Sequence, residues 1–151
     1  MTPEMQSSGV RYSGTKTLTA WPMTRGQYNS YRTWTPPDGE DQTAAGYLVE
    51  YSDGGAANDS RHVGYISWSP AEVFERSYRP IGTFQDRVRF ERDELADKRA
   101  KLAAFIGDDS KLIGVTPDQL GLLIRQHEHM AGYLDVLDER IAAFEPEAVT
   151  A

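Results

Sequence analysis

The side chains best placed for chemistry in this sequence are cations and aromatic rings. Arg87, Lys98, Arg99, Lys101, Arg125 and Arg140 are spread through the C-terminal half. Guanidinium and ammonium groups grip phosphates and carboxylates through charge-assisted hydrogen bonds, and a few well-placed ones suffice whatever the net charge. The competing expectation is a solvated helix face, with intrahelical pairs four residues apart such as Glu94–Lys98 and Asp97–Lys101. Tyr28, Tyr31, Trp34, Tyr47, Tyr51, Tyr65 and Trp68 gather in the N-terminal half. Their rings can stack on a planar ligand, although most are expected to build a core.

Other chemistries find less support. His127-Glu128-His129 invites a metal reading, but residues two apart on a helix point roughly 200° from each other, so these histidines cannot chelate one ion. No metal site and no cofactor is expected. Asp53-Gly54-Gly55 belongs to a hairpin turn and not to a phosphate loop ahead of a helix. No nucleophile elbow or Ser/His/Asp constellation stands out, and Asp108-Asp109 is expected to flank a helix end. The expectation is therefore a protein that is not an enzyme. With no cysteine, disulfides and thiolate chemistry are excluded. A formal net charge of −7 argues against a protein that coats nucleic acid polymers. No apolar run approaches the ~18–20 residues that span a bilayer, and Met1–Ser8 lacks the segments of a signal peptide. A cytoplasmic setting without a membrane partner follows as the expectation.

Two kinds of element must position these groups. Residues 1–81 predict a small α+β module, in which roughly the first 14 residues are flexible. Thr15–Trp21 alternates polar and apolar residues as a half-buried strand does. Thr24 is placed to cap a short helix running towards Trp34, and Thr35–Ala45 reads as a surface loop. Gly46–Tyr51 and His62–Trp68 predict two strands joined through Ser52–Arg61. Ser69-Pro70-Ala71-Glu72 predicts a helix opened by a Ser cap and closed before Pro80.

Residues 83–145 predict two long amphipathic helices packed as an antiparallel hairpin. Thr83 caps the first, which stops at Gly107; Asp108–Val115 connects; Thr116-Pro117-Asp118-Gln119 opens the second, which Glu145-Pro146 ends. In the second helix Leu120, Leu123, His127, Met130, Leu134, Leu137, Ile141 and Phe144 alternate steps of three and four. The corresponding row of the first helix is Phe84, Val88, Glu91, Leu95, Lys98, Leu102 and Phe105. Glu91, Lys98 and His127 either sit at the wet edge of this seam or specify its register, or they line a polar pocket between helices. Leu122, Ile124, Tyr133 and Val136 lie outside the row, so the apolar surface is wider than one partner helix needs. Association, either with the N-terminal module or with copies of the chain, is the expected remedy.

From Phe84 to Phe144 the chain resembles the phage anti-CBASS protein 2 family. The resemblance rests on Arg87-Val88, Glu94-Leu95, Lys98, Lys101-Leu102, Phe105-Ile106, Arg125-Gln126, Met130, Tyr133, Val136-Leu137 and the closing Glu139-Arg140-Ile141-Ala142-Ala143-Phe144. It implies a homohexamer that acts as a sponge in the host bacterial cytoplasm. Such a sponge holds cyclic oligonucleotide second messengers of CBASS immunity between protomers without cleaving them. It implies a cyclic-dinucleotide site at Phe84, Arg87, Lys98 and Arg99, and a separate cyclic-trinucleotide site at Lys101 and Arg140. Pro22–Tyr28, Gly46–Tyr51 and Gly64–Pro70 resemble an uncharacterised phage module found ahead of other small phage domains, one similar to Thoeris anti-defence protein 2. The rival expectation is an interaction protein, in which the hairpin multimerises an N-terminal module that binds a host protein.

Overall fold

The structure, a computed structural model, describes residues 9–144. The expected helix stop at Glu145-Pro146 and the first part of the expected flexible segment lie outside the described residues. The chain divides into two compact units, Met1–Tyr78 and Arg79–Ala151.

The first unit contains strand β1 (Thr19–Pro22), helix α1 (Arg25–Tyr31), strands β2 (Gly46–Tyr51) and β3 (Tyr65–Pro70), and helix α2 (Ala71–Ser77). The strands form one antiparallel sheet in the order β1-β2-β3. Leu48 stands opposite both Trp21 and Trp68, which puts these three side chains on one face. Buried Tyr28, Leu48 and Ile66 pack there with Met23, Tyr31 and Trp68. Strand β1 is shorter than the alternation from Thr15 predicts. Its first residue already faces Glu50, one residue from the end of β2, so nothing remains for Thr15–Thr17 to pair with.

Thr24 caps α1 as expected: its hydroxyl accepts from the Gln27 N–H, and the Gln27 amide oxygen accepts from the Thr24 N–H. The expected Ser69 cap does not form. Pro70 is still paired with Gly46, and the Ala71 N–H donates to Ala45 O at 2.9 Å. Ser69 is thereby held in the extended ladder, Pro70 takes the N-cap position, and no side chain caps α2.

The second unit is helix α3 (Phe84–Ile106) and helix α4 (Pro117–Phe144), packed against each other. Reciprocal capping boxes start both, Thr83 with Asp86 and Thr116 with Gln119. Phe84 meets Phe144, and Arg92 Nε donates to Asp138 Oδ1 at 2.7 Å, so the helices run antiparallel. Every member of the predicted α4 row is buried or half-buried, with Leu134 and Leu137 innermost. Burying a Leu of this kind contributes about 1.5–3 kcal/mol.

The α3 row needs correction. Glu91, Lys98 and Phe84 are exposed, whereas Arg92 and Arg99 are half-buried. The seam runs Val88, Arg92, Leu95, Arg99, Leu102 and Ile106, with Phe105 half-buried beside it. Both rows alternate three and four and share Val88, Leu95 and Leu102, so periodicity alone does not choose between them. Arginine is suited to the inner position because its stem covers apolar surface while its head reaches outward. Leu122, Ile124, Tyr133 and Val136 stay 55 %, 42 %, 46 % and 52 % exposed, the surplus apolar surface expected of α4.

Candidate functional site

The open end of the hairpin brings together the first residue of α3 and the last turn of α4. Thr83 and its capping partner Asp86 set where α3 begins, which fixes Phe84 at the rim, 48 % exposed. The Arg140 guanidinium carbon lies 5.5 Å from the Phe84 ring centroid, and the Phe144 ring meets Phe84 edge-on at 5.2 Å. A guanidinium held over a ring face is attracted by the ring quadrupole and keeps its fork of N–H groups directed at solvent. One turn along α3, Arg87 donates to Ile81 O at 3.2 Å, which anchors a second guanidinium in the same neighbourhood. An exposed ring beside two arginines can stack on a planar group and hold an anion next to it.

The other predicted site residues lie elsewhere on the hairpin. Lys98 follows Phe84 by 14 positions on one helix, a rise of roughly 21 Å. Lys101 is farther along still and is held by Asp97 at 2.6 Å, the intrahelical pair expected of it. The expected Glu94–Lys98 pair is absent: neither side chain has an ion pair among the described residues. Lys98 instead lines a groove of about 310 Å³ together with Phe90, Glu91, Glu94, Leu95 and Tyr133. Of the two roles open to the polar residues of the predicted row, Glu91 and Lys98 thus take the groove, while His127 remains half-buried in the seam. Arg99 is half-buried, and its Nε is buried with no hydrogen-bond partner. Within one chain, then, Phe84 meets Arg140, and it does not reach Lys98, Arg99 or Lys101.

The first unit holds a constellation that pattern reading missed. His62 Nδ1 donates to Glu50 Oε1 at 2.7 Å, and its Nε2 is hydrogen-bonded to the Tyr31 hydroxyl at 2.7 Å. Trp21 and Tyr31 both set ring edges near the imidazole. The His62 hydrogen bond, helped by the Gly64 N–H, holds the Glu50 carboxyl below its ordinary pKa against the opposing effect of desolvation. Both ring nitrogens are used and only 10 % of the His62 side chain is exposed, so the group ties the connection between β2 and β3 to α1. Asn58 ties the same connection to β3, its amide bonding both N–H and C=O of Ile66. Glu40 accepts from Arg25, buried Asn29 and Gln42, and Gln42, Asn29 and Arg25 lower its pKa in that order. Of the N-terminal rings, Tyr28 and Trp68 belong to the core as expected. Trp21, Trp34 and Tyr65 remain partly exposed.

These features acquire a context from known proteins. Residues 82–143 match the Sequestin family. The match spans α3 and α4 and bears out the family resemblance of the hairpin; it supports a sequestering role for this segment in place of catalysis. No curated protein and no solved structure matches the chain. Among the described residues no helix is long and apolar enough to cross a membrane, and no group of three or more His, Cys, Asp or Glu is arranged to hold a metal ion.

Proposed function

We propose that the Sequestin-type hairpin is a phage counter-defence sponge that binds cyclic oligonucleotide second messengers in the host bacterial cytoplasm without cleaving them. The observation that carries this reading is the rim cluster, an exposed Phe84 ring beneath the Arg140 guanidinium with Arg87 one turn away. A nucleobase stacks on such a ring, and the two guanidiniums meet the adjacent phosphates.

The spacing along α3 makes copies of the chain part of the site. A compact ligand that touches Phe84 and also Lys98 or Arg99 has to lie between protomers, because one helix holds these residues roughly 21 Å apart. The same holds for a trinucleotide gripped by Lys101 and Arg140. The unpartnered apolar surface at Leu122, Tyr133 and Val136 supports self-association, for which a hexamer is the state proposed.

Calorimetric titration of the full chain with a panel of cyclic di- and trinucleotides tests the reading. Saturable binding with less than one ligand per chain, and recovery of intact ligand after denaturation, is the expected result. Absence of binding across the panel, by a chain of verified oligomeric mass, would remove the sponge and leave the interaction-protein alternative.

A further inference from the structure

Along one face of α3 the charges read Glu91, Glu94, Lys98 and Lys101, two carboxylates followed by two ammoniums. Their steps of three and four residues keep them on a single stripe. Charges around them are paired: Asp93 with Arg79 and Arg92, and Arg92 in turn with Asp138. On the stripe, Glu91, Glu94 and Lys98 have no ion pair among the described residues, although Glu94 and Lys98 stand four apart and are free to make one. All three line the 310 Å³ groove with Phe90, Leu95 and Tyr133. Of the lining residues Tyr133 is 46 % exposed, and Val136, three positions on in α4, is 52 % exposed.

The order of these charges is self-complementary. Reversed in direction, the stripe presents two ammoniums where the original presents two carboxylates. The pairs Glu94–Lys98 and Glu91–Lys101 are moreover centred on the same point. We infer that this face is a two-fold interface between two copies of the chain, α3 antiparallel to the α3 of the second copy, with the axis passing midway between Glu94 and Lys98. In an isologous contact each pairing occurs twice. Glu94 meets Lys98 of the second copy, Glu91 meets its Lys101, and the two Tyr133 rings close over the middle of the groove. A parallel alignment in register sets like charges together and is disfavoured, as charges flanking an apolar stripe choose orientation in paired helices. A buried aromatic near the centre with charged pairs around it matches the anatomy of specific interfaces. This inference rests on the self-association in the sponge reading and not on the ligand; with Lys98 and Lys101 taken up in these pairs, it leaves Arg99 and Arg140 as the cations that serve ligands between protomers.

The test uses the full chain and two charge reversals, Glu94→Lys and Lys98→Glu. Each alone places like charges against each other on both sides of the axis, and each is expected to weaken self-association about ten- to a hundredfold, read by light scattering as a fall in mass. Circular dichroism is expected to show parental helicity, since both side chains are exposed. Mixed in equal amounts, the two variants are expected to recover the parental mass, because every ammonium of one then faces a carboxylate of the other. Neither variant can form the Glu94–Lys98 pair within its own helix, so recovery on mixing reads contact between chains alone. A monomeric parent, single variants of unchanged mass, or a mixture no heavier than its components would each overturn the interface. Exchange as described, in a chain that binds no cyclic oligonucleotide, would sink the sponge and leave this interface standing.

Discussion

Arg140→Ala removes a guanidinium that lies 5.5 Å over an exposed ring, and the consequences differ for two ligand classes. Where Arg140 grips a phosphate, the loss of a charge-assisted hydrogen bond costs about 1.5–3 kcal/mol, which weakens cyclic-trinucleotide binding about ten- to a hundredfold. The resemblance by itself predicts that dinucleotides are spared, because it assigns them to Phe84 and a different pocket. The contact between Phe84 and Arg140 changes that expectation. A cation over an exposed ring is worth about 0.5–1 kcal/mol, so removing it should shift dinucleotide affinity by roughly two- to fivefold. The sign reports whether the base displaces the guanidinium or packs beside it. Arg140→Lys should fall between parent and Ala for either ligand, since an ammonium keeps the charge and loses the planar fork. Lys98→Ala, roughly 21 Å up the helix, should leave the contact untouched. The assay is calorimetry on variants whose mass and helicity match the parent, with both ligands titrated into each. Arg140→Ala protein that bound both ligands as the parent does would refute the assignment. Dinucleotide binding unchanged alongside a lost trinucleotide would show that the contact carries no weight in the complex.

Leu137 is fully buried in the seam, so Leu137→Ala should destabilise the hairpin by about 2–5 kcal/mol, measurable as a lower midpoint in chemical denaturation. Val136→Ala, one residue away and half exposed, should barely move that midpoint and should instead weaken self-association. Acid should loosen the first unit before the second. Glu40, Asp41, Glu50 and Asp59 all titrate below their ordinary values there, chiefly because Gln42, Thr43, His62 and Arg61 respectively donate to them. Groups with lowered folded pKa values stabilise above the unfolded value and lose that contribution as pH falls through the folded one. The fluorescence of the three tryptophans, all in this unit, should therefore change at roughly pH 4 and below. Helicity of the hairpin, where among the described residues only the carboxyls of Asp93 and Asp108 are held below their ordinary values, should persist further. We also expect a fragment starting at Arg79 to stay helical and to associate; an unfolded fragment would make the two units one folding unit.

Most helix starts were legible in the chain because their signals are local. Thr24, Thr83 and Thr116 each cap a helix through a partner three residues on, chemistry complete within one turn. The α4 seam was legible for a related reason, since apolar residues recur in a single unbroken row of three-and-four steps along the whole helix, with His127 its one polar member. Where a local signal met a tertiary competitor, the tertiary one prevailed. Ser69 is a sound cap by type, but the ladder with β2 holds it extended through Pro70.

What the order of residues alone determined, then, is where the helices of the hairpin begin, which stripe of α4 is apolar, and that cations and rings stand out where no nucleophile constellation does. Only the tertiary structure decided which charged residues of α3 enter the seam, because two rows share the same three apolar positions and the α4 surface selects between them. Only the hairpin register could bring Phe84 to Arg140 from opposite ends of the helical half. The Glu50–His62–Tyr31 group has the same origin: cross-strand pairing and the seat of α1 on the sheet create its distances. Contacts between distant positions depend on how elements pack, and a one-dimensional pattern of side-chain types carries the periods of those elements without the angle or offset at which they meet.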